Sequence, residues 1–378
     1  MKPNITRRAF AGTTIAALAG LCGGLRFGTG AEEEKPARQA ATSAAGRVPR
    51  RVGAVAYSFQ YSIGLFSYRQ RPGERFDAVK FVEATHAAGG NVAQLFYLMI
   101  DSLADDDLRR LRQRAEQLDV LLEVHGGHAP RKDFERTMRQ AAKLGSRIVG
   151  CSFGFMLRPD KLATLADWDL HYAACEKRIA ELVPLARSLR LTLAIENHLD
   201  FTLEELHALV RRFESAEVGL LFDAGNWIGT LDDPLEAADT LGRYVAATHY
   251  KDFAIEETPQ GFRFTMVPLG CGSLRLEELT RRLEKQVRPE VAYSIEMMNG
   301  QHFDVNWLED RFWVPFRNKA ARQVAATLRH IRSRTIDRQE HIPVEEFDRL
   351  PHEAHVKLEA DRLARCIAYL KDLLGAKG

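Results

Sequence analysis

The sequence predicts an α/β fold, a (β/α)8 TIM barrel followed by a C-terminal helical extension. Three observations predict it. Eight short runs rich in β-branched and apolar residues alternate with amphipathic segments of helical period. The alternation occupies about 250 residues, the usual span of such a barrel. No G-x-G-x-x-G or phosphate-binding loop follows any of the runs, which removes the usual support for the rival, a doubly wound open sheet.

In chain order the strand runs are Val52–Ser62, Asn91–Leu98, Val120–Gly126, Arg147–Gly154, Leu191–His198, Val218–Trp227, Val245–Phe253 and Glu290–Met298. Between them, Asp77–Ala88 spaces Val79, Phe81, Val82 and His86 at helical intervals and stops at Gly89-Gly90. Leu103–Leu118, Lys132–Leu144, Asp167–Leu189, Leu203–Phe213, Pro234–Leu241 and Leu274–Val287 follow, each where a crossover helix between parallel strands must lie. The barrel is expected over 51–300 and the extension over 301–378. In the extension, Asn318–Arg334 and Val344–Leu374 read as helices. The aromatic stretch Asn299–Arg317 either packs on the barrel wall or caps the mouth, with Trp307 or Trp313 against substrate.

The N-terminal region reads as an address. Thr6-Arg7-Arg8-Ala9-Phe10 precedes an uncharged run to Leu25, with small residues near Ala31, so 1–31 is expected to be an export signal. Paired arginines directly before the apolar run fit a twin-arginine (Tat) signal; an ordinary Sec signal carrying two arginines is the alternative. The run is too short for a membrane span of about 20 residues, so no stable membrane anchor is expected. Residues 32–50 are small, charged and Pro-containing, and read as a disordered linker. The reading therefore places the protein in the periplasm or otherwise outside the cytoplasm, reached through the Tat export machinery.

At 46% hydrophobic and 28% charged residues, the composition excludes a disordered chain, collagen and a polytopic membrane protein. The formal charge of +2 is carried by the ends: positions 1–50 hold eight basic and three acidic residues, leaving 45 basic against 48 acidic beyond them. A body of net −3 has no global attraction for phosphates, so no nucleic-acid partner is expected. Cys151, Cys175, Cys271 and Cys366 are widely spaced, lack any C-x-x-C and make no disulfide framework; Cys151 and Cys175 read as buried apolar residues.

Chemistry concentrates where strands end, the face on which barrels of this kind carry their sites. Four successive strands end in Glu196, Asp223, His249 and Glu296. Carboxylates converging there would repel one another and lose hydration, a problem that one divalent cation removes. Three carboxylates and an imidazole suit Mn²⁺ best, with Mg²⁺, Co²⁺ or Zn²⁺ also compatible. His198 and Lys251 stand two residues beyond Glu196 and His249, on the same side of their strands. His198 is either a ligand for a substrate hydroxyl or a rim histidine. Lys251 either neutralises an oxyanion or is a solvated partner of Asp252. His125, in Glu123-Val124-His125-Gly126-Gly127-His128, either faces substrate or sits in a structural turn. Tyr57, Phe59, Phe96 and Tyr97 either line an apolar wall or pack in the core.

Ala194-Ile195-Glu196-Asn197-His198, Phe222-Asp223-Ala224-Gly225-Asn226, Thr248-His249-Tyr250-Lys251-Asp252 and Ser294-Ile295-Glu296-Met297-Met298 resemble the strand-end motifs of the xylose-isomerase-like barrel superfamily. That group includes sugar and sugar-phosphate isomerases and epimerases, inosose dehydratases, 3-dehydroshikimate dehydratases and the endonuclease IV repair enzymes. The resemblance runs from about Val52 to Met298. It implies that Glu196, Asp223, His249 and Glu296 bind one metal ion, and that Glu196 and Glu296 also transfer protons on opposite faces of the substrate, as in ketose 3-epimerases. Asn226, counted among the substrate-binding candidates, stands where relatives often carry histidine, which argues against a three-metal nuclease site. The resemblance also implies a homodimer.

These readings give an expected function: an exported, divalent-metal-dependent sugar isomerase or epimerase. Metal bound to a carbonyl and its neighbouring hydroxyl acidifies the adjacent C–H and stabilises an enediolate. The same site could serve a lyase or dehydratase acting on a keto-sugar or 3-keto-glycoside. A carbohydrate-binding protein and an endonuclease are more distant alternatives.

Overall fold

The computed structural model describes residues 49–65, 75–153, 157–317, 319–332 and 340–375. The signal expected over 1–31, and the linker expected over 32–50 apart from its last two residues, lie outside them.

Eight strands close a parallel barrel: β1 (Val52–Val55), β2 (Val92–Phe96), β3 (Leu121–His125), β4 (Ile148–Cys151), β5 (Thr192–Glu196), β6 (Val218–Asp223), β7 (Val245–Tyr250) and, after a side excursion, β10 (Tyr293–Ile295). Parallel pairing of β10 with both β7 and β1 completes the ring. The strands are buried over most of their length, as near-continuous apolar runs in a parallel sheet must be. The crossover helices are α2 (Ala78–Ala87), α3 (Asp105–Gln117), α4 (Arg131–Lys143), α6 (Leu165–Leu189), α7 (Leu203–Phe213), α8 (Pro234–Leu241) and α9 (Leu276–Leu283); α1 (Gln60–Ile63) and α5 (Arg158–Lys161) are single turns beside them.

Local chemistry fixes where these helices start. Asp77 accepts the Lys80 amide at 2.8 Å, and Asp233 accepts that of Leu235 at 2.9 Å ahead of Pro234. Thr164 with Asp167, and Thr202 with Glu205, form reciprocal capping boxes. Among the described residues no helix is long and apolar enough to cross a membrane.

The run expected as one strand over Val245–Phe253 divides. The barrel strand ends at Tyr250, and β8 (Asp252–Thr258) leaves to pair antiparallel with β9 (Gly261–Val267), which in turn pairs with β11 (His302–Val305). Asp252 makes the corner: its carboxylate accepts the amides of Phe253, Gly270, Gly272 and Leu274. Aromatic residues of the stretch after β10 pack: Phe303 of β11 meets Phe264 at 5.2 Å, and the Trp313 indole donates to the Trp307 carbonyl.

The extension is helical, with α10 (Asp310–Trp313), α11 (Ala321–Ile331), α12 (Val344–Phe347) and α13 (His352–Leu373). Pro351, which lacks an amide proton, separates α12 from α13 where one continuous helix was expected. From α13, the buried Glu359 carboxylate accepts the Tyr61 amide (2.6 Å), the Ser62 amide (3.1 Å) and the Ser62 hydroxyl (2.9 Å). One turn later Arg362 donates to Asn299 Oδ1, while Gln60 donates to the Asn299 carbonyl. The extension thus grips the segments that follow β1 and β10.

Candidate metal centre

The strand-end residues converge. Glu196 and Asp223 are the last residues of β5 and β6, His249 is next to last in β7, and Glu296 directly follows β10. Register keeps them level, with Asp223 opposite His249 and His249 opposite Ser294. All four are buried, and one donor atom from each lies within 4.8 Å of the others. A single ion with bonds of about 2.0–2.4 Å can reach donors this close. The cluster could hold a metal, and its three carboxylates and one imidazole favour a hard or borderline divalent cation.

Lys251 is part of the cluster. It is buried, with Nζ 2.6 Å from Asp223 Oδ2 and paired also with Glu296 Oε2. Burial opposes its charge, but Asp223 and Glu296 hold its pKa above the ordinary lysine value. The solvated lysine partnered by Asp252 is therefore not what forms, because Asp252 is occupied at the corner. Asp223 is pushed up to about 7, first by burial and then by Glu296 and Glu196, against the pull of Lys251. Burial also pushes Glu196 upward, but His198, His249 and the histidine hydrogen bonds hold it well below the carboxylate range.

His125 reaches the centre as well. Gly127 donates its amide to His125 Nδ1 (3.2 Å), so Nε2 carries the proton and donates to Glu196 Oε2 at 3.1 Å. Two glycines permit this. A Cβ on Gly150 would meet His125 Cδ2 at 2.3 Å, and Gly127 has φ +54°. His198 lies edge-on to His128 with ring centroids 5.4 Å apart; burial pushes it down to about 4 against the pull of Glu196. Its Nδ1 has no hydrogen-bond partner among the described residues. Asn226 is buried in the loop: its side chain donates to the Asn197 carbonyl, its amide donates to Asp223 Oδ1, and its Oδ1 lies 3.4 Å from Lys251 Nζ. These contacts brace the centre. Tyr57, Phe96 and Tyr97 contact one another in series, tilted at 5.0 Å and edge-on at 4.7 Å, whereas Phe59 turns into the core against Phe76 and Phe81. Burial raises the Tyr57 phenol well above its usual pKa, and Glu296 and Glu196 add to the shift.

Two residues of the centre escaped the sequence reading: Gln94 on β2 and Glu123 on β3. Gln94 Oε1 accepts from His249 Nε2 at 2.7 Å, and Gln94 Nε2 donates to Glu123 Oε2 at 3.0 Å. The available signal was a single polar residue inside each of the apolar strands Val-Ala-Gln-Leu-Phe and Leu-Leu-Glu-Val-His.

The loop after β5 is braced by Asp200, whose Oδ1 accepts the amides of His198 (3.0 Å) and Phe201 (2.7 Å). Burial raises its pKa to about 7, far above its value of about 3.9 in an unfolded chain. The folded state then binds the extra proton. The stability this contributes is full below about pH 3.9 and is lost as pH rises toward 7. We expect the stability difference between wild type and D200N, measured by urea denaturation, to fall across that window. A difference that stays flat from pH 4 to 8 would contradict the assignment.

Residues 82–333 match the family described as xylose isomerase-like TIM barrel. Among curated proteins, the chain is 24% identical over 213 residues to the 3-oxo-isoapionate decarboxylase of Pectobacterium atrosepticum, covering 55% of this chain and 73% of that one. Among solved structures, a D-psicose 3-epimerase crystallised in the presence of D-fructose superposes with a TM-score of 0.55 at 16% identity, over 86% of this chain and 99% of that chain. A xylose isomerase-like barrel from Mycobacterium smegmatis, in complex with magnesium, superposes with a TM-score of 0.51 at 16% identity, over 75% and 97%. At these identities the two structures establish the fold alone. With its closed parallel barrel and a family match across two thirds of its length, the chain belongs to the xylose isomerase-like TIM barrel family.

Proposed function

We propose that the protein is a divalent-metal-dependent enzyme that moves a proton at the carbon next to a carbonyl of a sugar or oxidised sugar, as an isomerase or epimerase. The observation that carries this reading is the convergence of Glu196, Asp223, His249 and Glu296 on one point at the barrel mouth. A cation held by these four supplies the positive charge that makes such a C–H acidic. The protein's own groups do the rest. Glu196 and Glu296, from β5 and from the end of β10, are carboxylates able to take and return a proton. His125 holds Glu196 Oε2 in place and, with His198 and His249, lowers its basicity against the effect of burial. The aromatic cluster of Tyr57, Phe96 and Tyr97 offers an apolar surface on which a sugar can rest. The epimerase fold likeness supports the reading.

Lys251 favours a second reading. A buried ammonium beside the carboxylates can pair with a substrate carboxylate, which a neutral ketose does not carry. The decarboxylase relative points the same way, toward a lyase acting on a keto-sugar or keto-sugar acid.

One experiment tests both. The protein is incubated with Mn²⁺ in D₂O with ketoses, aldoses, 3-keto-glycosides and 3-keto-sugar acids, and carbon-bound deuterium is followed by NMR. Deuterium next to the carbonyl with an isomeric product supports the first reading; loss of CO₂, water or an aglycone supports the second. Binding of a sugar with no exchange and no product overturns both.

A further inference from the structure

The interior of such a barrel is normally filled by branched apolar side chains. Here Gln94 and Glu123, at opposite register positions on β2 and β3, are both buried in it. An amide and a carboxyl group taken from water weaken the fold unless every polar end is used. Both ends of the amide and one carboxylate oxygen are used in one line that ends at His249. Glu123 Oε2 accepts from Gln94 Nε2, and Gln94 Oε1 accepts from His249 Nε2.

We infer that Gln94 is a positioning residue that fixes the proton of His249 on Nε2, and that Glu123 fixes Gln94. A glutamine amide has a donor end and an acceptor end. With the donor end committed to Glu123, the oxygen must face His249, and the imidazole must present a proton there. Nδ1 is then the nitrogen left to face the carboxylates, 3.2 Å from Glu196 Oε1, 3.7 Å from Glu296 Oε2 and 3.8 Å from Asp223 Oδ2; without a cation it donates to Glu196, and it is the position whose proton a cation would replace. A reversed amide would set its NH₂ against the Nε2 proton. The pair thus selects the tautomer that a cation needs and locks the ring plane. The inference rests on the metal reading above.

The test is Mn²⁺ affinity by calorimetry at pH 7.5, with thermal denaturation alongside. Wild type is expected to bind one ion. Q94M, similar in length but without an acceptor, is expected to bind about 10–100-fold more weakly. Q94E, which keeps an acceptor oxygen for Nε2–H, is expected to stay within about threefold of wild type. Should Q94M not fold, E123L probes the same line one step further out, with an expected loss of about 3–10-fold. If wild type binds no divalent ion, the metal reading itself fails. If wild type binds and Q94M or E123L binds equally well while only the melting temperature falls, the pair is merely structural and the inference is overturned. Q94E binding as poorly as Q94M overturns it too.

Discussion

E196Q and E296Q are each expected to lower kcat by about 10²–10⁴-fold, the usual contribution of a positioned acid or base. Glutamine keeps the shape and one acceptor oxygen, so His125 retains a partner at position 196. What is lost is the capacity to carry a proton, together with one negative charge near the cation. Metal affinity will fall as well, so the comparison belongs at saturating Mn²⁺. The two variants should also differ from each other. If Glu196 and Glu296 work on opposite faces, one of them will still wash deuterium into the substrate from its own face without releasing the inverted product. Turnover retained in both at saturating metal would remove the proton-transfer roles.

The largest effect on stability is expected at Arg158. Its side chain has no solvent exposure, lies 3.5 Å from the Trp168 ring and 4.4 Å from that of Phe316, and pairs with both Glu205 oxygens. It also donates to the carbonyls of Asp200 and Pro315, the latter from the extension. R158M keeps the apolar contact with both rings but leaves Glu205 without its cation and two carbonyls without a donor. Breaking a buried pair from one side costs about 3–5 kcal/mol. R158K restores charge without the planar fork and should recover only part of it. Chemical denaturation of the three proteins orders them; an R158M protein within 1 kcal/mol of wild type would mean that the pair contributes nothing net.

The barrel was legible because its signals are local. An apolar run followed by an amphipathic segment repeats, and helix starts such as Thr202 and Asp233 announce themselves. The four strand-end ligand candidates were legible for a similar reason: each is the first ionisable residue after an apolar strand. What was not legible depends on distant partners. Nothing near Lys251 in sequence tells whether Asp252 will hold it, because Asp252 is claimed by amides some twenty residues downstream. Gln94 and Glu123 look like minor interruptions until the barrel closes and brings His249 of β7 against β2. The three-stranded sheet was missed because its third strand, β11, follows β10, well outside the hairpin it joins. Phe59 and Tyr57 are two residues apart, and only the turn after β1 decides that one enters the core and the other the centre.

The grip of α13 on the barrel mouth has a consequence for synthesis. The eighth barrel strand is complete at Ile295, yet the carboxylate that holds Tyr61 and Ser62 is at position 359, and the guanidinium that reaches Asn299 is at 362. A nascent chain that has just released its last barrel strand still lacks the helix that packs on β1 and β10, with Leu363, Cys366, Ile367 and Leu370 in the core, and the groups that fasten the rim. The segments beside Tyr57 and Glu296 must wait for more than sixty further residues to emerge. The mouth is therefore completed later than the last barrel strand, and a ribosome stalled between the two would display all eight strands with an unfinished mouth.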